Sequence, residues 1–363
     1  MTTSDGLVTA RRKDDHIDIN LTQAVQATEV STGFERVHFV HQALPDLDLA
    51  QVSTATTFLG HSLGAPLLVS AMTGGTPRGW ELTRRLAEAA QRYRLPLGVG
   101  SQRAALEDEG RAQYFRLRDV APDILLFANL GAVQLNLGYG VDHCRRAVDM
   151  VGADALFLHL NPLQEALQPE GDTQFHGLLR QIEAVCRELE VPVVVKEIGC
   201  GISARVARQL IASGVAAIDV GGAGGTSWSG VEHFRATDPV RRRVSATFAN
   251  WGIPTVASLQ MVRTVSTTIP VIASGGLRSG LDAAKAIGLG ANLAGFAGPL
   301  LRAADAGEDA LDDLVAALIE ELRVAMFCTG VATVTDLAGV TLMDAMGQPL
   351  ARASMMKGGS PDG

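Results

Sequence analysis

Eight short apolar runs recur between residues 67 and 300, and each gives way to glycine or a polar side chain. They fall at 67–72, 97–100, 124–129, 155–160, 191–197, 216–221, 270–275 and 293–297. Each is continuous rather than alternating, as parallel strands buried on both faces are. Amphipathic stretches at 81–93, 175–189, 204–212 and 281–289 separate them and read as helices. Eight such units predict an α/β fold of the closed (β/α)8 type, a TIM barrel, rather than an open doubly wound sheet. A further run at 253–258 is read as the lead into the helix of the sixth unit rather than as a ninth strand.

The remaining segments are expected to dress this repeat within a single domain. Residues 1–60 lack the pattern and should form an extension lying across the barrel of residues 61–305. Residues 306–346 form a C-terminal helical segment, in which 308–327 read as one amphipathic helix with acids early and Gly330 just past its end. Residues 347–363, rich in Gly, Ser and Asp, are expected to be a mobile tail. A net charge of −8 argues against a nucleic-acid partner. Cys144, Cys186, Cys200 and Cys328 form no CxxC pair, so neither a metal cluster nor a disulfide framework is expected and a reducing cytoplasm fits. No apolar core of a signal peptide and no run of membrane-helix length is present, so a soluble protein without a membrane partner is expected.

In a barrel of this kind, chemistry belongs at the C-terminal ends of the strands. Those ends carry Ala71, Met72, Thr73 and Gly74; Ser101, Gln102 and Arg103; Asn129; His159 and Asn161; and Lys196 and Glu197. Later ends carry Gly221 to Thr226 with Trp228, then Gly275, Gly276 and Arg278, then Ala297 and Gly298. The pair SGGLRSG and GFAGP matches the phosphate site of such barrels, where backbone N–H groups and a helix start form an anion nest. Arg278 could add a charge. The alternative is glycine needed only for tight turns. The AMTGG turn with Asn129 and Lys196 favours a flavin, because neutral hydrogen-bonders suit its pyrimidine edge and a lysine stabilises the anionic reduced ring. Lys196 could instead form a structural ion pair with Glu197.

A second cluster is cationic. Arg12 and Lys13 in the extension could join Arg103 to clamp a diphosphate, or be a solvated charge run; Arg11 reads as an ordinary surface residue. A third is HLNPLQE at 159–165, where Pro162 should stop the strand and leave Gln164 and Glu165 in a loop above the barrel. Glu165 is a candidate Mg²⁺ ligand, since that ion uses one or two carboxylates plus substrate phosphate and water. It could instead begin a helix, where acids are favoured.

The motifs RRKDDHI, AMTGG, GVGSQR, HLNPLQE, VKEIG, GAGGTSW and SGGLRSG occur in that order. Together they resemble the type 2, FMN-dependent isopentenyl-diphosphate delta-isomerases, from about Arg12 to the mid-340s. The resemblance implies conversion of isopentenyl diphosphate to dimethylallyl diphosphate in isoprenoid biosynthesis. It also implies reduced FMN, Mg²⁺, NAD(P)H as reductant, and a homo-oligomer of four or eight chains. By motif position it implies that Arg12, Lys13, Ser101, Gln102, Arg103 and Gln164 touch substrate and that Glu165 holds Mg²⁺; Asn161, in the same motif, is grouped with them. FMN would be held by Ala71, Met72, Thr73, Gly74, Ser101, Asn129, Lys196, Thr226, Gly276, Leu277, Arg278, Ala297 and Gly298. Asp15 departs from the family, which usually has glutamate there.

An allylic C–H is too weak an acid for direct removal by a side chain, so protonation of the alkene must come first. Reduced flavin is expected to move the proton without net redox change. Gln164 would orient the alkene or relay a proton, with His159 and His16 as secondary catalytic candidates. Rival readings are an FMN-dependent oxidase of 2-hydroxy acids, a nucleotide dehydrogenase and a non-catalytic phosphate-binding barrel. The first needs a histidine where this chain has Gly-Gly-Ala-Gly-Gly-Thr, and the second a cysteine where only Cys200, in another loop, is present.

Overall fold

A computed structural model of the chain describes residues 3–72 and 74–350, with side chains from Arg12 onward. Eight parallel strands close into a barrel: β1 (Leu67–Val69), β2 (Leu97–Gly98), β3 (Leu126–Gly131) and β4 (Ala155–Leu160), then β5 (Val193–Glu197), β6 (Ala217–Asp219), β7 (Val271–Ser274) and β8 (Leu293–Phe296). Each pairs with the next, and β8 closes on β1 through Ala294 to Leu67 and Phe296 to Val69. Helix α1 (Thr3–Thr22) precedes the barrel; α2 (Pro77–Tyr93), α3 (Arg103–Glu107) and α4 (Val141–Val151) follow β1, β2 and β3. Helices α5 (Pro162–Leu167) and α6 (Leu178–Glu188) follow β4, and α7 (Ala204–Ala212) follows β5. Helices α8 (Trp228–Arg235), α9 (Pro239–Thr247) and α10 (Thr255–Val265) follow β6, and α11 (Gly280–Gly288) follows β7. Helices α12 (Gly298–Ala306) and α13 (Glu308–Cys328) complete the core.

Local chemistry explains where these helices begin and end. The Thr76 hydroxyl accepts from the Gly79 N–H with Pro77 at the first helical position, and Ser203, Ser227 and Ser279 cap α7, α8 and α11 in the same way. A side-chain acceptor there satisfies an N–H that has no partner within the helix. Helix α4 ends at Gly152 with φ 61°, a left-handed conformation that only glycine adopts without cost.

Because side chains alternate across a strand, the barrel has two separate apolar cores. The larger lies between the sheet and the helices, with Leu126, Ala128, Leu130, Leu156, Leu158, Val195 and Ala273 among its members. The smaller fills the barrel itself: Leu68, Leu125, Phe127, Ala155, Phe157, Val194, Ala217, Ile272 and Leu293. Phe127 and Phe157 stack there with ring centres 4.3 Å apart. A hairpin of the N-terminal extension, Thr56–Phe58 with His61–Leu63, adds Phe58 and Leu63 to this inner cluster and plugs the barrel at the strands' N-terminal ends.

Most strands are two or three residues shorter than their apolar runs, because the runs continue into buried loops. Residues 253–258 form no strand: a single bridge from Ala223 to Pro254 leads directly into α10. One expectation is corrected. Gln164 and Glu165 do not lie in a loop; Pro162 opens the short helix α5, whose first positions tolerate proline because their N–H groups need no intrahelical acceptor. Near the C-terminal end of the described residues, Leu350 N–H donates to Leu342 O at 2.8 Å and Asp344 N–H to Gln348 O at 2.9 Å. Residues 351–363 lie outside the described residues.

Phe58 is only 3% exposed. Its replacement by alanine should lower unfolding stability by about 3–4 kcal/mol in urea denaturation, with far-UV circular dichroism unchanged. A loss below about 1 kcal/mol would mean that the hairpin does not pack the barrel floor.

Candidate active site

Two residues above the inner apolar layer, the inward positions turn polar or small: Ser70, Asn129, His159, Lys196, Asp219 and Ser274, with Gly98 and Gly295 between them. Strand register makes this a ring, since His159 pairs with Lys196 and Lys196 with Asp219. Above it lies a cavity of about 240 Å³. His159 Nδ1 lies 2.9 Å from Asn129 Oδ1, so the neutral ring donates there and leaves Nε2 as acceptor. Burial, with Lys196 adding to it, pushes His159 down to about 3, so it is a neutral hydrogen-bonder at ordinary pH. The Asn129 amide also donates to Val99 O at 2.9 Å.

The alternative reading, a Lys196–Glu197 ion pair, is not what forms. Lys196 Nζ donates to the main-chain carbonyl of Glu197 at 2.7 Å and stands 3.8 Å from Asp219 Oδ2. Adjacent strand residues face opposite ways, so Glu197 turns outward and its Oε2 accepts the N–H groups of Ile198, Gly199 and Cys200 at 2.7, 2.8 and 2.5 Å. Burial pushes Glu197 up to about 7 against the pull of those three donors.

One wall of the cavity is formed by Gly275, Gly276, Leu277 and Arg278 after β7 and by Ala297 and Gly298 at the start of α12. Gly276 has φ +82°, and a Cβ there would stand 2.7 Å from Gly225 N and 2.6 Å from Thr32 Cγ2. Glycine is therefore required by a close approach of two backbones. Arg278 is exposed and donates to Gln26 Oε1 at 3.4 Å. Arg302, one turn into α12, also lines this wall and makes no hydrogen bond or ion pair among the described residues. Ala71, Met72, Gly74, Ser101 and Thr226 complete the expected cofactor side; Thr73 lies outside the described residues.

The opposite chemistry comes from α1, which packs against α8, α2, α3 and α12 over the strand ends. It brings Arg12, Lys13 and His16 to the cavity, where Arg103, Asn161, Gln164 and Glu165 also lie. Lys13 Nζ donates to Ser101 O at 3.0 Å and sits over the Phe115 ring. Burial, helped by Arg12 and Arg111, pushes Lys13 down to about 7. Arg103 is held by Asp172 at 2.5 Å and Glu107 at 3.0 Å, and Arg12 lies 3.8 Å from Glu170. Gln102 does not reach the cavity: it is fully buried, its Nε2 donates to Ala147 O at 2.7 Å and its Oε1 accepts from Asn129 N at 2.9 Å. The Arg11 side chain lies outside what is described.

Gln164 is fixed from two sides. Its Oε1 accepts from Asn161 Nδ2 at 3.1 Å, and its Nε2 donates to Glu232 Oε1 at 3.4 Å. Glu232, which is 2% exposed, also meets His16 Nε2 at 3.1 Å and Arg235 at 2.6 Å. Burial alone would raise Glu232, but the His16 hydrogen bond and Arg235 hold it below the usual carboxylate range. Glu165 accepts from Asn161 Nδ2 and Asp172 N–H, both at 2.7 Å, and burial raises it. No group of three or more His, Cys, Asp or Glu side chains among the described residues is arranged to hold a metal alone.

Sequence reasoning missed Ser70, Glu232 and Arg302. Strand alternation beyond Leu68 would have found Ser70; nothing in the sequence pointed to the other two, which lie about one turn inside the helices α8 and α12.

Residues 160–343 match the family model of FMN-dependent dehydrogenases. The chain is 57% identical to an isopentenyl-diphosphate delta-isomerase of a Synechococcus species, over 88% of this chain and 92% of that protein. It is 53% identical to that of a Nostoc species, over 93% and 96%, and 51% identical to that of Rickettsia rickettsii, over 90% and 95%. Solved structures of mandelate oxidase share the fold with a TM-score of 0.63 at 22% identity, over 94% of this chain and 99% of that one. Sequence identity over nearly the full length, together with the flavin-barrel model, places this chain in the type 2, FMN-dependent family of isopentenyl-diphosphate delta-isomerases.

Proposed function

We propose that this enzyme converts isopentenyl diphosphate to dimethylallyl diphosphate with reduced FMN, Mg²⁺ and NAD(P)H as the source of reducing equivalents. One observation carries the reading: a single cavity joins a glycine-lined anion nest, a neutral polar floor with one lysine, and a cationic mouth. The residues present suit FMN. Ser70 Oγ and Asn161 Oδ1 are buried side-chain atoms of cavity residues with no hydrogen-bond partner, and the floor offers neutral donors and acceptors beside one cation. The phosphate would take the N–H groups of Gly276, Leu277 and Gly298, with Arg278 and Arg302 adding charge. Asn129, Ser101, Thr226 and Lys196 would hold the ring with Ala71, Met72, Thr73, Gly74 and Ala297. When bound and reduced, FMN supplies an electron-rich ring face and ring nitrogens that hold or release a proton, without net redox change.

The chain's own groups then divide the remaining work. Arg12, Lys13 and Arg103 would hold the diphosphate, and Glu165 would supply a carboxylate to a Mg²⁺ that neutralises the diphosphate charge. Protonating the terminal alkene carbon builds positive charge on a tertiary carbon, which water would trap. Ile17, 1% exposed, and Trp228 from the edge of α8 line the cavity there and exclude it. Gln164, pinned by Asn161 and Glu232, orients the alkene, and His16, which donates to the same Glu232 oxygen, fixes that geometry. His159 serves as a neutral hydrogen-bonder.

Phe234, Val240, Val244 and Trp251 are 42, 69, 40 and 62% exposed on or beside α8 and α9, which supports a homo-oligomer. No helix among the described residues is long and apolar enough to cross a membrane. A cytoplasmic location remains part of this proposal, as does the division into extension, barrel, helical segment and tail.

The purified protein should be yellow with a flavin spectrum, and labelled isopentenyl diphosphate should isomerise anaerobically only when bound FMN, Mg²⁺ and NADPH are all present. A colourless protein that binds phosphate esters would support a sensor instead. Glu165→Gln should weaken the apparent Mg²⁺ affinity by at least the roughly 10–100-fold that loss of a supporting group costs; an unchanged metal requirement removes Glu165 as a ligand.

Lys13 gives a pH signature. With its pKa near 7 in the ligand-free protein, it is largely neutral at pH 8, and a bound diphosphate favours the charged form. Binding should therefore take up close to about one proton at pH 8 and fewer at pH 6, where Lys13 is already charged. Titration calorimetry in buffers of different ionisation enthalpy measures this, and Lys13→Met should abolish the uptake at pH 8.

A further inference from the structure

Asp219 lies at the centre of the barrel, fully buried, yet it does not reach the cavity. Its Oδ1 accepts from Ser274 Oγ at 2.5 Å and from Gly221 N at 3.3 Å, which fixes the rotamer. Its Oδ2 has no hydrogen-bond partner and faces Lys196 Nζ at 3.8 Å. A carboxylate with one oxygen unsatisfied is costly at a position that an apolar residue could fill. Its own hydrogen bonds do not explain its presence, so the cation beside it must.

The groups facing Lys196 from its surroundings are few. On β4 its register partner is His159, neutral because burial and Lys196 itself push it down to about 3. On its own strand Glu197 turns away to the N–H groups of residues 198–200. On β6 it meets Asp219, and on β7 Ser274 stands behind that carboxylate. Asp219 is thus the one acid among them placed to compensate a buried ammonium.

We propose that Asp219 is the positioning residue for Lys196, holding its ammonium charged at the barrel floor so that a fixed positive charge favours the anionic, reduced flavin. The proposal rests on the FMN reading above. Without Asp219, Lys196 loses its counter-charge in a buried site, where burial favours the neutral amine. Its charge then becomes dependent on pH, and so does the enzyme's preference for reduced over oxidised FMN.

The test is the midpoint potential of FMN in the holoenzyme from pH 6 to 9, measured for the native protein, Asp219→Asn, Lys196→Met and the double variant. In Asp219→Asn the ratio of reduced to oxidised FMN affinity should fall by at least about tenfold more across this range than in the native enzyme, equivalent to about 1.4 kcal/mol of lost preference. Lys196→Met, alone or combined, should remove the additional fall. An Asp219→Asn curve that follows the native one overturns the proposal, and so does an additional fall that persists without Lys196. Should Asp219→Asn fail to fold, the double variant decides. Recovery of folding on removing Lys196 supports the pairing, and no recovery overturns it. A native protein that takes up no FMN sinks the flavin reading and this proposal together, whereas a flavin-loaded native enzyme beside an unaltered variant sinks Asp219 alone.

Discussion

Closure of eight parallel strands is the constraint from which the rest follows. A closed sheet has no free edge, so every strand is buried on both faces and its residues must alternate between two interiors. The inner one is narrow. Phe127, Phe157 and the smaller aliphatic residues fill its lower half, and the N-terminal hairpin seals it with Phe58 and Leu63. Only the upper half can hold polar groups, and there the alternation presents Ser70, Asn129, His159, Lys196, Asp219 and Ser274 as one ring. The floor of the site is the top layer of the core.

Charge at the mouth follows a different logic. Two of its cations are paired by the segment after β4: Asp172 meets Arg103, Glu170 lies near Arg12, and Glu165 takes the Asp172 N–H. An anionic ligand must compete with these carboxylates, which lowers its net gain but keeps the cations in place beforehand. Glu232 ties three elements together, reaching His16 of α1, Gln164 of α5 and Arg235 of its own helix. One buried carboxylate thus sets how the N-terminal helix sits on the barrel.

Much of this was legible in the chain. The eight apolar runs located every barrel strand, the glycine pairs located the close approaches, and the residue types after each run located the cavity. Failures came where a side chain's direction or partner mattered. Gln102 sits between two motif residues that reach the cavity, yet the start of α3 turns it inward to the Ala147 carbonyl. Glu197 was the one partner the sequence offered as an alternative for Lys196, but alternation sends it to the other face and brings Asp219 from the next strand. Pro162 was read as leaving a loop, although proline is equally suited to open a helix.

Periodicity, glycine placement and strand-end chemistry are local, so the sequence by itself determined the fold class, the end of the barrel that carries chemistry and the kinds of group found there. Which carboxylate meets which cation was decided only by the tertiary structure. Asp219 with Lys196, Glu232 with His16 and Asp172 with Arg103 are separated by 23, 216 and 69 positions in the chain. Strand pairing and the packing of helices over the barrel bring such residues within a few ångströms of one another, and electrostatic energy depends on that distance and on burial rather than on order along the chain.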